Sequence, residues 1–365
     1  MGKVIKLEAF EPYRNVDPEK FDLSSIPYYE KGKPPRHDLW HKLSFTDELE
    51  RLYGKNWGAQ GIGKLREVLL CRPTEDEVHP VFAKDPRYYM FYEDVPNVEK
   101  MQQQHDKLAE AYKDAGVDVH YMEYPAKYGP YGPIKWHIYT AREFLVIRGG
   151  AIIPRASYGP FIKGREIYMQ KALTELGIPV LYTVHGTGIC EIGASLFICE
   201  NLFFIGRSIA YNWEGINQVT PVMERAGIQV VVNHIPGPLY SLEWPLGGTY
   251  HPDMFIGPVD SGVVVIYPAL CGYETVEWLR DQKFKMIEIP PEEQRFYGAS
   301  NLMPVEPGKV IMPAGPTQTI RAVEKEGVDV ITVQYDEIWK SGGGIRCSTG
   351  DLLRDKGPGL EEVKR

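Results

Sequence analysis

FLVIRGGAIIP (residues 144–154), LFICENLFFIG (196–206), MFIGPVDSGVVVIYP (254–268) and LMPVEPGKVIMP (302–313) are four copies of one pattern. Each is an apolar run, a turn carrying Gly, Asn, Asp or Pro, and a second apolar run, which is how a β-hairpin reads in sequence. The segments after the hairpins repeat as well. Helical stretches at 163–176, 215–226, 273–282 and 318–325 lead into β-branched or aromatic strands at 178–184, 228–234, 284–289 and 328–335. The junctions LGIPV, AGIQV and EGVDV place glycine where a helix end needs a left-handed residue. An earlier copy is partly visible: GKLREVLLCRP (63–73) supplies a strand or strand pair, 98–115 a long helix and GVDVHYMEY a further strand.

Five ββαβ-like units therefore cover about 63–355. Apolar hairpins cannot bury both faces alone, so the units must pack around a shared centre. Onsets at 144, 196, 254 and 302 are spaced by 52, 58 and 48 residues. That irregularity argues against an open solenoid and for a closed ring of small sheets with helices outside. An ordinary mixed α/β fold is the plainer alternative. Residues 1–62 do not fit the repeat; rich in proline, charge and aromatics, they are expected to pack on the ring, form a lid or make a homo-oligomer contact. The expected organisation is a 1–62 extension followed by a 63–365 catalytic domain.

Composition agrees. The 36 glycines and 29 prolines exclude a helical bundle and suit many short elements joined by tight turns. With 41 basic against 49 acidic residues, the net charge of −8 disfavours nucleic acid as a partner. No apolar run approaches the length of a membrane span. Five scattered cysteines form neither a disulfide framework nor a zinc motif, and the first residues carry no secretory signal; a soluble, cytoplasmic setting is expected.

In such a ring the chemistry belongs in the linkers that converge on the axis. Three stand out at related points of the repeat: HGTGICEIGAS with Glu191, GGTYHPDMF with His251 and Asp253, and SGGGIRCSTGDLLRD with Cys347. Cys347 comes after three glycines and Arg346, and a helix beginning after CSTGD would lower its pKa and expose a reactive thiolate. Buried packing is the alternative for this cysteine, and it is the favoured reading for Cys71, Cys199 and Cys271. His251 and Asp253 would share one side of an extended strand, suited to acid–base work or, more weakly, to metal ligation. Glu, His and Cys at matching points of successive units are the parts covalent catalysis needs.

At these residues the chain resembles the guanidino-group-modifying superfamily, which includes arginine deiminases, dimethylarginine hydrolases, agmatine deiminases and amidinotransferases. The resemblance spans about 63–355 and implies a five-bladed α/β propeller. It also implies Cys347 as nucleophile, His251 as general acid, Glu191 as the partner of the histidine, and Asp253 as a guanidinium ligand. FFIGRSIAYNWEGINQV (203–219) resembles the stretch after the acid, with Asn212 in its usual place as a substrate-binding residue. There are departures. The last acid of the E-G-G-D-like motif is Ala194, and Glu143 in TAREF stands in for a second guanidinium-binding aspartate. Arg346 before the cysteine resembles the hydrolytic members.

The resemblance implies attack of Cys347 on the central carbon of a small cationic guanidino substrate. A thiouronium adduct would then be resolved by water or, in an amidinotransferase, by an acceptor amine. Neither route needs a metal or organic cofactor. A non-catalytic binding ring on the same fold is the second alternative.

Overall fold

The computed structural model describes residues 6, 15–86, 88–89, 95–124, 127–156, 162–192, 195–236 and 251–363. Ala194 and the start of GGTYHPDMF lie outside them.

Five three-stranded sheets carry the fold. Four are built as the repeat anticipates. In the second unit, Leu145–Ile147 and Gly150–Ile153 form the hairpin, Arg165–Glu175 is the helix, and Val180–Thr183 returns parallel to the inner strand. Hairpins Ser195–Cys199/Leu202–Arg207, Ile256–Asp260/Val263–Ile266 and Met303–Glu306/Lys309–Pro313 repeat that plan with their own helix and parallel strand.

The first unit differs. Leu65–Leu70 is a single strand whose parallel neighbour is Asp118–Tyr121, after the helix Val98–Asp114. Its antiparallel partner is Thr349–Arg354, pairing Leu65 with Arg354 and Leu70 with Thr349. The segment after Cys347 is thus a strand, not the helix expected from CSTGD, because this strand completes the first sheet.

The packing shows that the ring closes. Each apolar cluster sits between two successive sheets: Leu69, Phe144 and Leu352 between first and second, and Ile147, Phe197 and Phe203 between second and third. Phe204 and Ile266 join third to fourth, Val265 and Val310 fourth to fifth, and Leu65, Met303 and Ile311 fifth back to first. Each helix contributes its inward face to one of these seams, as Met101, Leu108 and Tyr112 do in the first unit. The architecture is a five-bladed α/β propeller. Residues just before the first strand enter it too: Trp57 and Ile62 are buried, and Ala59 N–H donates to Val146 O over 3.1 Å.

Helix ends explain the repeated glycines. Gly177, Gly227 and Gly327 come after their helices with φ of 77°, 74° and 85°, in the left-handed region that costs a side chain about 1 kcal/mol. The fourth unit places exposed Lys283 there, at φ 63°. Lys283→Gly is therefore expected to raise stability by about 1 kcal/mol, read as a higher denaturant midpoint at unchanged slope. No gain, or a loss, would show that the strain is relieved elsewhere.

Candidate active site

The three linkers meet at the axis. Glu191 is placed by backbone: its N–H donates to Ala210 O over 3.0 Å, and neighbouring Cys190 bridges to Arg155 and Tyr211. The Asn212 side chain clamps the same segment. Its Oδ1 accepts from Ile189 N and from Gly215 N, each at 2.8 Å, and its Nδ2 donates to Thr187 O at 2.8 Å. Asn212 therefore caps the helix Trp213–Arg225 and fixes the Glu191 strand entry. Both ends of the amide are thus engaged by backbone, a structural role beside the expected one of substrate ligand.

His251 precedes a short 3₁₀ turn, Pro252–Met254, that carries Asp253. The turn replaces the extended strand expected for H-x-D. Blade five anchors it, with Ser300 Oγ donating to Asp253 O at 3.1 Å and Gln294 Nε2 to Met254 O at 2.7 Å. The His251 Nε2 lies 3.3 Å from Glu191 Oε2. Burial pulls the ring pKa down. The hydrogen bond to Glu191 and the charges of Asp253, Glu191 and Glu143 outweigh it, and the pKa stands above its ordinary value.

Cys347 is half-buried in a loop held from two sides. Trp136 Nε1 donates to Ser341 O at 2.6 Å, and Tyr139 Oη bonds Ser341 Oγ at 2.7 Å and donates to Gly343 O at 3.1 Å. The linker 128–140 thus buttresses the Cys347 loop. From the other side, Asn301 Oδ1 accepts from Arg346 N at 2.9 Å and Cys347 N at 3.3 Å, while its Nδ2 donates to Cys347 Sγ at 3.1 Å. A Cβ on Gly343 would lie 2.6 Å from the Tyr139 ring, and one on Gly344 2.6 Å from Asn301 Oδ1. The glycines admit these two supports.

The expectation of a depressed thiol pKa is overturned. Burial, and next the charge of Asp253, push Cys347 up to about 12, against the pull of Gly344 N–H, Asn301 and Arg142. Asp253 lies near enough to raise both Cys347 and His251, and so links the two electrostatically. Cys71, Cys190, Cys199 and Cys271 are buried with pKa values pushed up to about 12, chiefly by burial.

The expected carboxylate fork around a cation is altered. Glu143 is bonded to buried Arg165, which also donates to Trp136 O at 2.6 Å. Asp253 is fully buried, 3.9 Å from Arg346 Nε, and neither of its side-chain oxygens has a hydrogen-bond donor among the described residues. Behind it, Asp351 is held by Arg354 at 3.0 Å and by Arg142 at 3.5 Å. Burial, then repulsion from Arg142, lower Arg346 to about 10. Asn301, Arg165 and Arg142 were not singled out from sequence, where a lone Asn or Arg in a linker carries no signal. Among the described residues no group of three or more His, Cys, Asp or Glu is placed to hold a metal.

Comparison with known proteins agrees with this geometry. The Arginine deiminase family model matches residues 257–354. The 2-nitroimidazole nitrohydrolase of Mycobacterium sp. (strain JS330) is 31% identical over 359 residues, 94% of each chain. The chain belongs to the guanidino-group-modifying superfamily. Within that superfamily, the N(G),N(G)-dimethylarginine dimethylaminohydrolase of Pseudomonas aeruginosa is 25% identical over 256 residues, covering 69% of this chain and 88% of its own. Solved structures share the propeller. That hydrolase with citrulline matches at TM-score 0.62, 20% identity, over 80% of this chain and 100% of its own. The N-terminal domain of a cyanobacterial arginine dihydrolase matches at 0.63 and 20%, over 78% and 96%.

Proposed function

We propose that this protein is a cysteine-dependent hydrolase acting at the carbon of a planar N–C–N group, the unit presented by a guanidino group and by C2 of an imidazole. One observation carries the reading: Cys347, the Glu191–His251 pair and the buried carboxylate of Asp253 lie together at the axis of a propeller. The relatives' named reactions, on dimethylarginine and on 2-nitroimidazole, share that carbon.

Asp253 accepts N–H from the N–C–N edge and aligns the carbon over Sγ. Cys347 passes its proton to His251 and attacks; the substituent leaves, taking that proton from His251 when it departs as an amine. For a guanidine the adduct is a thiouronium. Water then gives a proton to His251 and attacks the same carbon, the C–S bond returns its electrons to sulfur, and His251 returns the proton to the thiolate. Asn301 positions Sγ throughout. The unpaired cysteines fit a cytoplasmic setting, and no described helix is long and apolar enough to cross a membrane.

The test is intact-mass spectrometry after acid quench, with 2-nitroimidazole, arginine and N-methylarginine offered in turn. A substrate-derived mass on the Cys347 peptide supports the reading. Turnover with no adduct and no loss on alkylating Cys347 would end it. Adding glycine or ornithine separates the routes: amidine transfer to either marks an amidinotransferase.

The pH profile derives from the site charges. His251 and Cys347 share one proton between their two pKa values, so the acid limb of kcat/KM reports His251. Glu191 holds that pKa up. Glu191→Gln removes the charge, lowers the His251 pKa and is expected to move the acid limb to lower pH. A limb that stays or moves to higher pH would remove Glu191 from this role.

A further inference from the structure

We propose that the N–C–N group bound here is uncharged, an electron-poor guanidine or a 2-substituted imidazole, and not a protonated guanidinium. The inference rests on the Cys347 reading above and specifies its substrate class.

Every carboxylate identified at the site already has a partner, and for all but Glu191 that partner is an arginine. Glu143 is bonded to Arg165, Glu191 to His251, and Asp253 lies 3.9 Å from Arg346. The next carboxylate inward, Asp351, is shared by Arg354 and Arg142 and also faces Arg346, so one carboxylate there serves three guanidinium groups. A guanidinium entering this axis would give up its water without gaining an unbalanced negative charge, and would meet Arg165 and Arg346 besides. What the site lacks is donors. Both oxygens of buried Asp253 are without one among the described residues, and a buried acceptor demands it. A neutral, planar ligand with N–H on one edge satisfies Asp253 and leaves the ion pairs intact.

Charge also favours a particular leaving group. A neutral substrate bearing an electron-withdrawing substituent X loses X as an anion, carrying the electron pair of the C–X bond as Sγ bonds to carbon; the Cys347 proton passes to His251 and from there follows X into solvent. Water then adds and gives a proton to His251, the C–S electrons return to sulfur, and His251 reprotonates the Cys347 thiolate. The net change is substrate plus water to a carbonyl product plus HX, with nothing oxidised or reduced. Arg346, beside Asp253, is the cation nearest the N–C–N edge and would stabilise the departing anion.

The experiment uses pairs of like shape and different charge: nitroguanidine against methylguanidine, and 2-nitroimidazole against 2-aminoimidazole at pH 7. Dissociation constants for the full-length Cys347→Ala protein are measured by calorimetry. The neutral member of each pair is expected to bind at least about tenfold more tightly. In Cys347→Ala/Arg165→Gln, which frees the Glu143 charge, the preference is expected to shift toward the cations by about tenfold or more. Arg165→Lys, keeping the charge, retains the parent order. Equal or tighter binding of the cations by the parent overturns the proposal, and so does the failure of every probe to bind. Turnover keeps the two readings apart. Neutral ligands that bind tightly but never modify Cys347 would sink the covalent mechanism alone. Cations hydrolysed through Cys347 in preference to neutral probes would sink the charge inference alone.

Discussion

Cys347→Ala is expected to abolish turnover, lowering kcat by about 10,000-fold or more while the protein stays folded. The site contains no second thiol able to substitute, since the other four cysteines are buried in or beside strands. Removing Sγ also removes the acceptor of the Asn301 amide, but that amide keeps Met254 Sδ in reach at 3.7 Å, so only a small stability change is expected. Leaving-group release and a thermal melt on the same sample are the measurements. Residual activity above about a hundredth of the parent would mean that Cys347 is not the nucleophile. The high resting pKa adds a second readout: Cys347 alkylation by iodoacetamide should be slow at pH 7 and accelerate steeply with pH.

His251→Gln comes next, with an expected loss of about 1,000-fold in kcat and a smaller effect on binding. Glutamine keeps a polar group near Glu191 but cannot exchange a proton. Both chemical steps lose their acid–base partner, while Asp253 still holds the N–C–N edge. The discriminating result is the pH profile. The acid limb assigned to His251 should vanish in the variant. An unchanged bell-shaped profile, or a loss seen entirely in KM, would place the proton transfer elsewhere. Steady-state kinetics from pH 5 to pH 10, with single-turnover controls, decide between these.

The four hairpins were legible because apolar runs and turn residues are local signals, and each helix and return strand fell within a few residues of its expected place. The first blade was not. Leu65–Leu70 takes its partner from the far end of the repeat region, and Arg66 pairs with Asp355, 289 residues away along the chain. No periodicity announces a pairing so distant. In the site, Glu191, His251, Asp253 and Cys347 were visible because reactive residue types stood at matching points of the repeat. Their tuning was not visible. The Cys347 pKa depends on burial and on Asp253, Glu143 is neutralised by Arg165, and Asn212 is consumed by backbone amides. Each is a property of tertiary contacts. Asn301 is the clearest case: two residues before a hairpin strand it reads as a turn residue, and only the folded ring lays it against Sγ.

The strand Thr349–Arg354, which shuts the ring against Leu65–Leu70, begins two residues after Cys347. Placement of Cys347, the proposed nucleophile, and closure of the circle are therefore one event. A molecule whose seam has opened has no thiol over the axis and no Asn301 contact to steady it. It is silent rather than a slow or promiscuous catalyst. The reactive sulfur acts as a tell-tale for the seam: loss of activity on heating should track the parting of these two strands, ahead of the melting of the other four sheets.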